Sequence, residues 1–497
     1  MAYDADGNLF RWEDAVGNRV VRTFDFVGRP LTETSFDPHG QQLDVVRYHY
    51  DAPSPLVRMD AVHALGRVTW VEDAAGASHF GYDVRGRLVE ELRVIEGREF
   101  RTRQAFDNLD QVVRLTYPDG DSLDYVFNAR GLLARIPGVI ERLEYNAAGL
   151  ATLREDANGV VHTAEYDDRA RIGGLKVRGR DGAALQDLSF GYGRTGLLDT
   201  VLDRVHPTGA LSGAASYSYD ALSRLRTATT PNGQFESQYD GVGNLTFRSE
   251  VGAYVYGDGA QPNALLQVNG ASITHDANGN MTSAFGSAYR WNARGQLSGV
   301  EDAAGGSTRF SYDYEGQRVL KEDTRSGRSS VSYYIDRFSE ERDGVLYKYV
   351  FSGDARVARI GGPQPTLLAV EKGVRGAQGV LGLGALLSFA IAGLVGLFGG
   401  GLRRQRSQAW IAAGMALCLS SCGCGPRIDA RDDIVYFVAD HLRSTTAVTD
   451  AKGRLVSQSG YDAWGAQSGA TADPYAYTGH ALDAETGLYY AGARYFR

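Results

Sequence analysis

The 497-residue chain has little lysine, little cysteine and no cationic leader. Lysine stands only at positions 176, 321, 348, 372 and 452, so nearly all the positive charge is arginine, a bias read as genomic before functional. Acidic side chains outnumber basic ones 60 to 52, for a formal net charge of −8. A phosphate-binding surface needs clustered excess cation, which excludes nucleic acid as the main partner. The three cysteines, Cys418, Cys422 and Cys424, fall in one short stretch. They cannot staple distant segments, which excludes a disulfide framework. Three thiols in an apolar run with no nearby histidine also make a poor tetrahedral metal site. The N-terminus, MAYDADGNLFRW, lacks the basic segment and apolar core of a secretory signal. Glycine (62) and tyrosine (28) are abundant, while 43% hydrophobic and 23% charged content is that of a folded chain.

One unit recurs along the sequence: an aromatic, Asp or Asn, two variable residues, Gly, a polar residue and an aliphatic. It reads YDADGNL at Tyr3, FDFVGRP at Phe24, YDVRGRL at Tyr82, FNARGLL at Phe127, YNAAGLA at Tyr145, YGRTGLL at Tyr192, YDGVGNL at Tyr239, HDANGNM at His275, WNARGQL at Trp291 and YDYEGQR at Tyr312. Weaker copies stand at Phe36, Phe106, Tyr166 and Tyr219. Starts fall about 20 residues apart, a spacing typical of stacked repeats. The residue types define a hairpin: the aromatic ends a strand, the Asp or Asn accepts backbone N–H groups ahead of it, and Gly takes the positive φ of the turn. Segments such as 87–94 and 122–127 alternate in polarity, which predicts half-buried antiparallel strands. A second turn family, at 13–18, 72–76, 155–159 and 301–305, is expected to close the opposite hairpin ends. The fold class is all-β, one long antiparallel sheet that must curl to bury a face.

These units, followed by Asp440-His441-Leu442-Arg443-Ser444-Thr445, Pro474-Tyr475-Ala476-Tyr477-Thr478-Gly479 and the run from Asp483 to Phe496, resemble the RHS/YD-repeat proteins and their core signature. The terminal GLYY…ARYF element is the most specific part. The resemblance covers residues 1 to about 360 and about 430 to 497. It implies a YD-repeat sheet spiralling into a hollow shell, as in bacterial polymorphic toxins, the cocoon component of insecticidal toxin complexes and the teneurin YD-shell. Family members usually continue past ARYF into an Asp-Pro self-cleavage motif and a toxin tip. Here Asp473-Pro474 precedes the core signature, so the cleavage role is not transferred to it, and the chain is expected to be a slice of a larger system. With about 290 to 360 residues of repeat, an open or partial shell is expected, whose edges would favour pairing with another chain.

Three regions follow: a repeat shell at 1–360, an apolar insert at 361–429 and a core-associated shell segment at 430–497. The uncharged run from Gly379 to Phe398 is long enough to span hydrocarbon as a helix. Because the shell segments on either side belong to one resembled fold, crossings must be even in number. This predicts a helical hairpin of transmembrane helices at about 377–402 and 407–425, with Arg403, Arg404 and Arg406 facing the cytoplasm and the shell outside it. The alternatives are an apolar plug within the shell and, at Leu419-Ser420-Ser421-Cys422, a lipoprotein-type signal.

The alternating oxygens of Asp4, Asp6 and Asn8, and of Asp276, Asn278 and Asn280, lack the Gly and Glu spacing of a calcium loop and read as turn formers. Asp440, His441 and Ser444 invite a triad, yet adjacency in sequence supplies no triad geometry. No catalytic, cofactor-binding or metal residue is assigned, and no enzyme activity is expected. The expected function is a structural β-shell that encapsulates or presents a polypeptide toxin cargo, here without the toxin tip. Its partners would be that cargo or a downstream gene product, and a membrane through the insert. The alternative is a surface adhesion protein recognising a glycan or receptor through stacked tyrosines.

Overall fold

The computed structural model describes residues 1–58, 61–205, 213–231, 233–258, 262–363, 433–470, 473–492 and 494–496. The chain divides into two units, Met1–Leu367 with Pro426–Arg497, and Leu368–Gly425. The second lies wholly outside the described residues, and so do the membrane helices expected at about 377–402 and 407–425. Among the described residues no helix is long and apolar enough to cross a membrane.

The described structure of the first unit is almost entirely antiparallel β. Strand order follows chain order, in sheets of 11, 2, 13, 14 and 3 strands. The expected single sheet is therefore interrupted. One break falls beside Tyr125, whose N–H donates back to Val113 O, and another at Ile273, whose N–H donates to Leu266 O. The sheets of 11, 13, 14 and 3 strands are open, their first and last strands unpaired with each other. Both turn families form as the sequence predicts. At the aromatic end, Asp83 N–H donates to Arg87 O (3.0 Å) and Gly86 N–H to Asp83 O (2.8 Å). At the opposite end, Asp156 N–H donates to Val160 O (2.9 Å) and Gly159 N–H to Asp156 O (2.9 Å). The weaker copies fold the same way with a left-handed residue where glycine is missing: Asp110 (φ 64°), Ala170 (φ 62°) and Ser223 (φ 64°).

A meander of two-residue-period strands has two faces, and one of them must find a cover. Here the strip covers itself. Residues of its first course meet residues more than 200 positions further along, as Arg93 meets Asp313 at a separation of 220 and Gly138 meets Tyr436 at 298. The largest apolar cluster joins Leu115, Tyr117, Leu123, Ile136, Ile140 and Leu143 of the first course to Val350, Ala358, Ile360, Ile434 and Tyr436 of the second. Each such side chain contributes about 1.5–3 kcal/mol when fully removed from water. Turns meet as well. Asn278 Nδ2 donates to Asp14 Oδ2 (2.8 Å), Tyr314 N–H to Asp73 Oδ2 (2.9 Å), and Asn158 Nδ2 to Asp450 O (2.9 Å). Strand Ala355–Ile360 pairs directly with strand Ile434–Ala439, so residues 361–433 leave and re-enter the sheet at one hairpin position.

Candidate functional site

Among the described residues two arrangements of charged side chains bear on function: the ladder that joins successive repeats, and a buried charged seat beneath the terminal segment. The ladder starts at the turn aspartate. Asp167 Oδ1 accepts the N–H groups of Arg169 and Arg171 (both 2.9 Å), while Oδ2 accepts Arg171 Nε (2.7 Å). The Arg171 hydrogen bonds hold this carboxyl below its ordinary range. The same guanidinium lies 4.3 Å from the ring centroid of Tyr192, the aromatic of the next unit, and Tyr192 Oη donates to Ile172 O (2.8 Å). The pattern recurs with Asp25, Arg29 and Tyr50, and with Asp220, Arg224 and Tyr239. In these units the repeat is fastened to the next by a cation–π contact and a phenol-to-carbonyl hydrogen bond. The sequence pattern specifies the sixth position as polar and nothing more. The arginine's bridging role depends on a tyrosine at the end of the adjacent strand, 21 residues on for Arg171 and Tyr192.

The seat is built where strands Arg318–Arg325 and Ser339–Arg342 meet residues 473–496. Arg318, completely buried, forms an ion pair with Asp483, whose side chain is 2% exposed. Lys321 Nζ reaches Asp483 (3.1 Å) and Glu485 (3.1 Å). Nε and Nη2 of Arg318 have no hydrogen-bond partner, and the guanidinium instead lies among aromatic rings, 4.3 Å from the Tyr490 centroid and 4.4 Å from that of Tyr334. The ring quadrupoles compensate part of the lost hydration. Nearby, Glu340 accepts from Tyr349 Oη (2.5 Å) and Tyr475 Oη (3.2 Å) and pairs with Arg342, while Arg359 reaches Asp473 (3.5 Å). Burial raises the Tyr475 and Tyr349 phenols above their ordinary range, which keeps both as hydrogen-bond donors. Sequence reasoning passed over this seat. Its one visible signal was Arg318, which takes the seventh place of YDYEGQR where other units carry an aliphatic.

The sequence-derived candidates fall in turns. Asp440 Oδ1 accepts the N–H groups of Leu442 and Ser444 (both 2.8 Å), Ser444 Oγ accepts Thr478 N–H (3.1 Å), and the His441 ring leans on Phe190 at 4.7 Å. Their functional atoms are aimed at different partners, and no nucleophile–base pair is assembled. Asp4 Oδ1 accepts from Asp6 and Asn8, and Asp276 Oδ1 from Asn278 and Asn280, while Asn278 Oδ1 accepts Ala15 N–H of the facing turn (2.8 Å), so these oxygens build turns and the contact between them. Asp473 is held beneath the core signature by Arg359. Cys418, Cys422 and Cys424 lie outside the described residues.

Consecutive strand order, the aspartate turn and the arginine–aromatic ladder define a YD-repeat sheet protein. A model of the teneurin YD-shell family matches residues 129–337, and the chain is similar to RHS/YD-repeat shell proteins. It is 27% identical over 371 residues to Double-stranded DNA deaminase toxin A of Burkholderia cenocepacia (strain H111), covering 69% of this chain and 25% of that protein. It is 23% identical over 431 residues to Toxin subunit YenC1 of Yersinia entomophaga, covering 72% of this chain and 38% of that one. In fold it is similar to a crystal structure of TcdB2-TccC3, at a TM-score of 0.66 and 18% identity over all of this chain and 27% of that one. The Photorhabdus luminescens Tc holotoxin pore matches equally well, with a TM-score of 0.66, 17% identity, and coverage of 100% of this chain and 26% of that one. The chain thus spans between a tenth and two fifths of the length of the curated relatives it matches.

Proposed function

We propose that this chain is a wall segment of a β-shell that encloses or presents a polypeptide cargo in toxin delivery, acting outside the producing cell. The observation that carries this reading is the meeting of the strip's two courses, from Asn278 on Asp14 to Asn158 on Asp450, which joins a thin meander into a wider wall. Similarity to proteins named as toxins, and to a Tc holotoxin, supports the delivery context. Residues 1–360 and 430–497 form the wall in this proposal. Residues 361–429 are an excursion from one hairpin position, where Gly361 N–H still donates to Asp433 O (3.2 Å). Its buried charges at Arg318, Asp483 and Glu340 are held in ion pairs that fix the terminal segment, a structural role within the wall.

Co-expression with the neighbouring gene product tests the proposal. Enclosed density by cryo-electron microscopy, together with protection of that product from added protease, is the expected result. A product that is digested at the same rate with and without this chain would refute it.

A further inference from the structure

Turns at the aromatic end of the hairpins occur in two environments. In the second course the third and fourth turn positions carry Asn278, Ala293 with Arg294, and Tyr314. All are seated on the opposite-end turns of the first course or on strands beside them. Ala15 N–H donates to Asn278 Oδ1 (2.8 Å), Arg294 reaches Glu33 (3.3 Å) and Asp44 (3.6 Å), Ala293 is 6% exposed, and the Tyr314 ring meets that of Tyr48 at 6.0 Å. In the first course the same positions carry Phe26, Val84 and Leu109, which are 97%, 79% and 76% exposed. Arg85, Arg130 and Arg169 take the fourth place that Arg294 takes in the seated turns. Arg85 pairs with Asp110 on the same rim (3.0 Å), and Arg130 donates to the carbonyls of Asn146 and Ala147 (both 3.1 Å). Single exposed apolar side chains are ordinary. Several of them at the third and fourth turn positions of one rim, Val84 and Leu109 two strands or roughly 10 Å apart and Phe26 four strands from Val84, mark an interaction surface.

The second course has the complementary rim. Its opposite-end turns expose Val345, with Asp343 beside it and Glu301 two turns away, past the turn between Arg325 and Arg328; short turns and carboxylates also meet at Asp14, Glu33 and Asp44 within the chain. We propose that a second copy of this chain docks head to tail, its second-course rim at 301–305 and 342–345 seating on the first-course rim at 24–29, 82–87 and 106–111. The contact continues between molecules the stacking that already joins the two courses within one. It is heterologous, so each molecule keeps one rim open and assembly grows with concentration. The proposal goes beyond the shell-wall reading and does not need a cargo.

Sedimentation velocity on the purified full chain, from about 1 to 100 µM, gives the first readout. The weight-average mass is expected to rise at least twofold, and a chain that stays monomeric throughout overturns the proposal. Val84→Glu with Leu109→Glu blocks one rim, and Asp343→Lys with Val345→Lys blocks the other. Each double variant alone is expected to be monomeric, and an equal mixture is expected to form dimers and stop there, since each partner brings one intact rim. Assembly that persists in both variants, or a mixture that stays monomeric, contradicts a head-to-tail contact. Hydrogen exchange of the unmodified chain is an independent check. Protection that increases with concentration is expected at 82–87, 106–111 and 342–345 together, and protection confined to other segments would count against the assignment.

Discussion

At the scale of single residues, the turn unit shows how few atoms set the repeat. One carboxylate oxygen satisfies two backbone N–H groups, and the glycine site takes a left-handed conformation. Asn128, Asn146 and Asn292 serve the same role as aspartate through Oδ1, while Gly193 closes the Tyr192 turn through backbone bonds alone (Gly193 N–H to Leu197 O, 2.9 Å). Ala170 holds φ 62° without the freedom of glycine. Ala170→Gly is therefore expected to stabilise the protein by about 1 kcal/mol, read as a rise in the midpoint of urea unfolding. The phenol of Tyr192 has the opposite expectation. Tyr192→Phe keeps the ring under Arg171 and removes the bond to Ile172 O, for a loss of about 1 kcal/mol, whereas Arg171→Ala removes both the carboxylate bridge and the ring contact and should cost more in the same measurement. The turn was legible in the sequence because all its partners lie within five residues. The arginine–tyrosine contact was not, because it joins residues about 20 apart whose proximity depends on strand register.

At the scale of elements, the terminal segment is held by a few buried charges. Removing one partner of a buried ion pair leaves the other uncompensated, at a cost of about 3–5 kcal/mol. Asp483→Ala should accordingly release residues 473–496 before the rest of the sheet unfolds. Limited proteolysis would detect new cleavage in that stretch while the thermal transition of the remainder persists, and a single unchanged transition with no new cleavage would refute the seat's role. The hairpin at Ile360 and Ile434 makes a second expectation. Since those strands pair directly, joining Gly361 to Asp433 through an Asn-Gly turn should leave the far-ultraviolet circular dichroism per residue characteristic of the same sheet. Strand periodicity and the core signature were both visible in the sequence. The seat was hidden because Arg318 and Asp483 stand 165 positions apart, and no local pattern carries that pairing.

At the scale of the whole molecule, the joint between courses contains a titrating cluster. His162 Nε2 lies 2.8 Å from Asp156 Oδ2, and Arg154, beside both, donates to Phe437 O across the joint (3.1 Å). Burial lowers the His162 pKa from its ordinary 6.5, and the Arg154 charge lowers it further against the pull of Asp156. Burial pushes Asp156 upward, but the Arg154 and His162 charges outweigh it and leave its carboxyl below 3.8. For His162 the unfolded chain binds the proton more readily, so stability falls as pH drops below about 6.5. The depressed Asp156 carboxyl adds a further loss below about 3.8, in the same direction. Burial raises Asp336 and Asp73, which act in the opposite sense. They are common to wild type and variant, so a comparison isolates the imidazole. Thermal midpoints between pH 7.5 and 5 are expected to decline less in His162→Gln than in wild type. Parallel curves would exclude a role for His162. That the strip would cover itself was implied by its one apolar face, while the residues that meet were not legible, because each pair is separated by a whole course.

That separation has a consequence for synthesis. Hairpins form from neighbours and can close as they emerge, yet the apolar face of the first course finds its cover only when residues more than 200 positions later arrive, 220 for Arg93 and 298 for Gly138. At about 5–20 residues per second, the nascent strip waits roughly ten seconds to a minute with that face bare. During that interval the bare face and the strand edges of one nascent chain are open to those of its neighbours on the same message, so slower growth of the second course raises the chance of aggregation.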